Sequence, residues 1–236
     1  MIRRKDLYTA LADSAFRYPE KVALVEAGTK RSITYRELLV QVDRIADMLF
    51  EHGIRKGDRV AVAHRNSINV VATNFGLYKL GAVCIPMNFM VTKPEELIYI
   101  LKDSGAKAVV TQAEFIRHYV KILPELPELK TIFTTDEIPL SAKDCPIVEK
   151  FWEQVEKSTF HEETANPAAG LEDLAFILYT SGTTGLPKGA MLTHGNLASN
   201  VISCAQIFKI TDDDVFLCLL PMFHSFAWTA CVIIPM

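Results

Sequence analysis

The sequence predicts an α/β fold, a mainly parallel sheet covered on both faces by helices. Three observations predict it. Short apolar runs such as 59–63 and 83–86 alternate with amphipathic stretches of helical length, which is the pattern of βαβ units. Thr34-Tyr35-Arg36-Glu37 and Thr92-Lys93-Pro94-Glu95 read as capping boxes that open helices. Gly53 and Gly81 stand where helices must close.

The elements follow in order. Residues 6–17 read as a helix ended before Pro19, and 22–26 and 32–35 as two short strands around the turn at Gly28. The helix opened by Thr34 carries its apolar stripe on Leu38, Leu39, Val42, Ile45, Ala46 and Leu49. A buried strand at 59–63, a helix at 68–80 capped by Gly81 and a strand at 83–86 come next. A helix runs from the second capping box to Ser104, followed by a strand at 108–111, a helix at 113–123 interrupted by Pro124, and a strand at 131–134. Residues 139–146 read as a polar connection, 148–157 as a short helix and 158–170 as a polar linker. The strand 174–178 leads into a Gly- and hydroxyl-rich loop, after which 190–192 returns as a strand and Thr193 caps a helix over 194–208. Residues 215–220 have the short apolar character of a buried strand.

The 236 residues suffice for a sizeable core, as one large domain or two small ones. With 50% hydrophobic and 22% charged residues the chain has an ordinary globular composition. A net charge of −3 without a basic tract argues against nucleic acid as the main partner. Cys84, Cys145, Cys204, Cys218 and Cys231 are odd in number and lack Cys-x-x-Cys pairing, which speaks for a reducing, cytoplasmic setting over a disulfide framework or zinc site. The basic N-terminus is followed by no apolar core of a secretory signal. Residues 215–236 are long enough and apolar enough to suggest a membrane span. Pro221, His224 and Ser225 interrupt the run, and no integral membrane segment is expected.

The most informative stretch is Tyr179-Thr180-Ser181-Gly182-Thr183-Thr184-Gly185-Leu186-Pro187-Lys188-Gly189. Glycines let backbone N–H groups approach an anion, hydroxyls add donors, and lysine brings a mobile point charge suited to phosphate. A Walker A loop fails, because Lys188 follows Pro187 and precedes Gly189. The dinucleotide fingerprint fails too, having no glycine at 180. The bland alternative is a polar surface turn, although the full string is more specific than that.

That string resembles the signature loop of the adenylate-forming (AMP-binding) superfamily, which holds acyl-CoA synthetases, adenylation domains of nonribosomal peptide synthetases and luciferases. The resemblance extends to Ile33-Thr34-Tyr35-Arg36-Glu37-Leu38, Gly57-Asp58-Arg59-Val60-Ala61-Val62, Lys79-Leu80-Gly81-Ala82-Val83-Cys84-Ile85-Pro86-Met87-Asn88 and Pro221-Met222-Phe223-His224-Ser225-Phe226, all in the family's order. It implies stacked αβαβα subdomains of an acyl-CoA synthetase-like N-terminal domain. One subdomain would span about 56–204, with both ends of the chain in a second. It also implies the chemistry: a carboxylic acid attacks the α-phosphate of ATP to give acyl-adenylate and pyrophosphate, and CoA then displaces AMP.

On this resemblance Thr180, Ser181, Gly182, Thr183, Thr184 and Gly185 would wrap the phosphates, Lys188 would add charge, and Thr184 would approach Mg²⁺. His224 would sit near the acyl carboxylate, the alternative being a satisfied core histidine. Phe223, Phe226 and Trp228 would line an acyl pocket or simply pack. The expected ligands are ATP, Mg²⁺, CoA and a carboxylic acid, foremost a long- or medium-chain fatty acid. A peptide-synthetase or aryl-acid adenylation domain and a non-catalytic nucleotide-binding module are the alternatives. The family's later acidic residues and late lysine are absent, and the chain stops at Met236 inside an apolar run. A truncated, inactive piece that self-associates through uncovered surface is expected. Asp212-Asp213-Asp214 lacks the pattern of a calcium loop and reads as a solvated turn. His194, beside the Thr193 cap, has no supported role near a nucleotide.

Overall fold

The computed structural model describes residues 5–180 and 186–236. Helix α1 (Leu7–Arg17) starts at Asp6, whose carboxylate accepts the Thr9 N–H at 2.9 Å. Strands β1 (Val22–Val25) and β2 (Ser32–Thr34) form a small antiparallel ribbon. Helix α2 (Tyr35–Glu51) opens on the expected capping box, Thr34 and Glu37 exchanging bonds reciprocally.

The main sheet is assembled from β3 (Arg59–Ala63), β4 (Val83–Pro86), β5 (Ala106–Thr111), β6 (Thr131–Thr134), β7 (Val148–Lys150), β8 (Leu174–Thr180) and β9 (Lys188–Thr193). Its order is β7-β6-β5-β3-β4-β8-β9, with every pairing parallel except the antiparallel β8–β9 edge. Helices α3 (Ile68–Leu80), α4 (Pro94–Ser104), α5 (Ala113–Ile122), α6 (Phe151–Lys157) and α7 (His194–Phe208) connect or cover the strands. Side-chain alternation splits the core in two. Val60, Val62 and Phe133 pack with α2 and α3, whereas Ala61, Ala63 and Ile132 pack with α4 and α5. Both faces are therefore buried, as a parallel sheet requires. Gly81 ends α3 at φ 70°, the left-handed conformation that glycine adopts without a Cβ penalty.

Several local expectations give way to tertiary context. Residues 148–157 are not one helix: Val148 pairs with Ile132 at the sheet edge, and α6 begins only at Phe151. Thr92 forms no capping box. Pro94 takes the first helical position, which its missing N–H and fixed φ favour, and Lys93 becomes the N-cap. Helix α5 stops at Ile122, and Pro124 sits in a 3₁₀ turn over Leu123–Glu125. Strand β9 is longer than 190–192, because it ladders along all of β8.

Residues 215–220 form no strand, since no described strand lies beside them to complete a ladder. Val215, Leu217 and Leu219 stand 96%, 73% and 79% exposed. The rest of the apolar stretch folds into the short helix α8 (Ser225–Trp228) and a π turn (Thr229–Ile233). Among the described residues no helix is long and apolar enough to cross a membrane.

Candidate functional site

The β8–β9 hairpin frames the Gly- and hydroxyl-rich loop. Thr180 and Lys188 are its last register pair, both exposed. Ser181, Gly182, Thr183, Thr184 and Gly185 lie outside the described residues. Alternation gives the hairpin two faces. Phe176, Leu178 and Thr180 share one with their cross-strand partners Leu192, Ala190 and Lys188. Ile177 and Tyr179 share the other and pack toward α4. There the Tyr179 hydroxyl donates to Asp103 at 2.6 Å, and burial together with that carboxylate pushes its pKa up. Gly189 is the cross-strand partner of Tyr179. A Cβ at 189 would lie 2.7 Å from Ile177 Cγ2 and 3.2 Å from Tyr179 Cζ, so the glycine lets the ring cross the strand.

The Phe176/Leu178/Thr180 face covers a cavity of about 140 Å³. Phe176, Leu178 and Leu192 wall it from the hairpin, Leu197 with the polar Asn196 and Asn200 from α7, and Phe223, Ser225, Trp228 and Thr229 from the chain near α8. Two residues of strand span about 7 Å, so the outer rim at Leu178 adjoins the Thr180–Lys188 pair. The Trp228 indole N–H donates to the Tyr78 hydroxyl at 3.0 Å, and its ring meets Phe176 at 5.7 Å and Phe75 at 6.5 Å. Tyr78 is fully buried in α3, and burial raises its pKa. Phe226 leaves the expected aromatic group. It is 68% exposed and does not line the cavity. Two positions on a helix differ by about 200°, so the turn that buries Trp228 throws Phe226 outward.

His224 is the exposed N-cap of α8, set between the lining residues Phe223 and Ser225. It is not a core histidine. Its ring leans on Phe223 with centroids 4.4 Å apart, and its carbonyl accepts the Trp228 N–H at 3.0 Å. Asn66, in the loop after β3, holds this element in place: its amide donates to the Leu220 carbonyl at 2.8 Å and accepts the Met222 N–H at 2.7 Å. Nothing local in the sequence marks Asn66, Tyr78 or Asp103 as partners of the site, because each meets it across more than 70 residues.

His194 and His64 are buried in structural roles. His194 is fully buried at the far end of β9, about 20 Å along the strand from Lys188. Its Nδ1 accepts the Leu7 N–H at 3.2 Å, and burial pulls its pKa down to about 4. His64 is buried between Thr135 Oγ1 at 2.8 Å and the Arg65 carbonyl at 2.7 Å. Asp214 accepts the Thr211 N–H in an exposed turn. No group of three His, Cys, Asp or Glu converges on a metal position among the described residues.

A second, open cavity of about 400 Å³ lies beyond the carboxyl ends of β3 and β5, and its lining residue Phe89 meets Phe223 edge-on with centroids 5.5 Å apart. The Arg65 charge there is already taken by a two-point pairing with Glu114, at 2.6 and 3.1 Å.

Comparison with known proteins adds the context. Residues 11–236 match the family model described as AMP-binding enzyme. A long-chain-fatty-acid–CoA ligase of Mycobacterium tuberculosis is 36% identical over 214 residues, covering 91% of this chain and 40% of the relative. A crotonobetaine/carnitine–CoA ligase of Escherichia coli is 36% identical over 224 residues, covering 93% and 42% respectively. The crystal structure of the N-terminal domain of FACL13 from Mycobacterium tuberculosis superposes with a TM-score of 0.82 at 31% identity, covering 98% of this chain and 54% of that one. The chain thus spans about 40% of the length of the curated relatives it matches.

Proposed function

The chain belongs to the AMP-binding enzyme family, and from that premise we propose that it serves an ATP-dependent acid–CoA ligase as the part that grips the triphosphate and the acid. In the reaction assigned, a carboxylate oxygen forms a bond to the α-phosphorus of ATP while the bond to pyrophosphate breaks. CoA thiolate then attacks the acyl carbon, and AMP leaves. The first step needs two anions brought together, so positioning and neutralisation of charge carry most of the catalysis.

The observation that supports this reading is the shared hairpin face. Thr180 and Lys188 stand at one end and the cavity directly inward of them. We assign the β and γ phosphates to Thr180, Ser181, Gly182, Thr183, Thr184 and Gly185, with the Lys188 ammonium as their counter-charge. The acid's tail enters the cavity, and its carboxylate lies at the rim, where the exposed His224 imidazole N–H donates to it. Mg²⁺ neutralises phosphate charge when bound. The described residues furnish no carboxylate cluster to hold it unaided, so we assign it to phosphate oxygens, water and the Thr184 hydroxyl.

A fatty acid is the favoured substrate class, because aliphatic and aromatic side chains make up most of the cavity wall. We also read residues 56–204 as one subdomain and the two ends of the chain as parts of another. The exposed run from Val215 to Leu220 is assigned as a surface for self-association. Five free thiols fit a reducing compartment.

Calorimetric titration with MgATP tests the reading. The wild-type chain should bind weakly, and Lys188→Ala should weaken binding about tenfold or more. Equal affinity in the two would overturn the assignment. We expect ATP–pyrophosphate exchange by this chain alone to stay at background with any acid.

A further inference from the structure

We propose that Cys218 and Cys231 are a modification site: under oxidation they join in a reversible disulfide that ties together the two ends of the segment carrying His224. The bridge itself does not depend on the ligase reading, and only its consequence for the acid site rests on it.

The fold brings the two thiols to one spot from opposite ends of that segment. Cys231 sits in the π turn (Thr229–Ile233), and its Sγ donates to the Leu217 carbonyl at 3.9 Å, the carbonyl of the peptide bond that leads into Cys218. Cys218 is aimed by Asn66, whose amide donates to the Cys218 Sγ at 3.8 Å as well as to the Leu220 carbonyl at 2.8 Å. Burial, then the charge and hydrogen bond of Cys231, push the Cys218 thiol up to about 11. Cys218 therefore rests as a thiol near neutral pH, and the bridge forms when an oxidant draws it.

Other cysteines are placed differently. Cys84 is completely buried and donates to Asn74 at 3.2 Å, and Cys204 turns back on Asn200 of its own helix at 3.6 Å. Cys218 and Cys231 are half-buried beside Leu217 and Leu219, which stand 73% and 79% exposed, so a soluble disulfide can reach them.

Oxidised glutathione, a small-molecule disulfide, balances the step. One protein thiol gives its proton to water, and the thiolate attacks a glutathione sulfur. A protein–glutathione S–S bond forms, the glutathione S–S bond breaks, and one glutathione thiolate leaves. The second protein thiol, deprotonated in turn, attacks the protein sulfur of that mixed disulfide, and the second glutathione thiolate leaves. The two protein sulfurs lose two electrons, which the glutathione disulfide takes up, and the released protons convert it to two thiols. A reducing compartment runs the exchange backward.

The bridge closes a loop over residues 218–231. Within it Phe223, Ser225, Trp228 and Thr229 line the cavity and His224 caps α8. Asn66 already holds the front of this loop through the Met222 N–H at 2.7 Å. A covalent tie to the π turn restricts how far the rest can open. On the ligase reading, it fixes the imidazole that faces the acid's carboxylate.

The test equilibrates the whole chain, native or unfolded in urea, with glutathione buffers of rising disulfide content and traps free thiols with iodoacetamide. Residues 210–236 contain no Lys or Arg, so trypsin leaves both cysteines in one peptide. From native protein that peptide should come two hydrogens lighter and free of iodoacetamide. Preorganisation should make the native bridge at least about tenfold more favourable than the same bridge in urea. Chymotrypsin should cut at the exposed Phe226 at least about threefold more slowly in the oxidised protein, and reduction should restore the rate. Cys231→Ser should abolish the slowing and leave a glutathione adduct on Cys218.

Separate glutathione adducts on Cys218 and Cys231 in wild type, pairing with other cysteines, or bridging no more favourable than in urea would overturn the inference, even if Cys231→Ser failed to fold. An unchanged rate of cutting at Phe226 would overturn the tying of the segment. If the bridge formed while hexanoate bound in neither redox state, the acid-site reading would fall and the disulfide would stand.

Discussion

The central strands and the chain beyond the β8–β9 hairpin are built from similar apolar residues and end up in opposite states. In β3, β5 and β6, Val60, Val109, Val110, Ile132 and Phe133 are completely buried, because α2 and α3 cover one face and α4 and α5 the other. Beyond β9, Ile207, Phe208, Val215, Leu217 and Leu219 all stand more than 70% exposed. The first region satisfies itself within the chain. The second carries His224 and part of the wall of the cavity of about 140 Å³, and keeps exposed apolar surface around them. Binding and catalysis draw on regions of low local stability, and here the division falls between the sheet and the chain that follows it.

The comparison breaks most readily at Phe133. Phe133→Ala should cost about 3–5 kcal/mol, read as a drop in the urea midpoint. A loss under about 1 kcal/mol would mean that the central strands do not carry the fold.

Acid sharpens the comparison at the junction of the two regions. His194 starts α7 yet is buried against α1, and burial holds its pKa near 4 against the opposing pull of Asp6 and Asp173, with Lys56 adding to the depression. Above pH 6.5 it is neutral in both states and carries no penalty. As pH falls from 6.5 toward 4, the unfolded chain takes up a proton that the folded chain refuses. Stability should then fall by about 1.4 kcal/mol per pH unit, reaching about 3 kcal/mol. His64, also depressed by burial, adds a loss in the same direction. The difference between wild type and His194→Gln in urea melts across this range isolates the His194 share, and parallel curves for the two would contradict it.

The smallest effect belongs to the exposed run. Val215→Lys, Leu217→Lys and Leu219→Lys should each change stability by no more than about 0.5 kcal/mol. Together they should reduce self-association in light scattering. A cooperative loss of stability in the triple variant would show that this run is packed after all.

Sequence signals served the two regions unequally, for physical reasons. The strand over 59–63 and the helix over 68–80 with its Gly81 cap are written in local patterns of burial and backbone conformation, and the structure repeats them residue for residue. The capping box at Thr34 and the helix cap at Thr193 are local too. Strand β7 was not legible, because three residues become a strand only when β6 lies alongside. Residues 215–220 carry a strand's pattern without a described partner to pair with. At the site, the motif residues Thr180, Lys188 and His224 announce themselves. Their supports do not: the Asn66 clamp, the Tyr78–Trp228 bond and the Tyr179–Asp103 bond join residues distant in sequence and leave no periodic trace.

The claim beneath all of this is that one hairpin face holds phosphate at its open end and the acid's tail at its inner end. An ATP analogue that keeps its β and γ phosphates and carries a hexanoyl group on the α-phosphate through a non-hydrolysable linkage tests it most directly, titrated by calorimetry beside MgATP and hexanoate alone. If the two sites adjoin, linking should give an affinity at least about tenfold better than either part, through effective concentration, and the analogue should shift Trp228 emission. An analogue that binds no better than its stronger half and leaves Trp228 unchanged would contradict it.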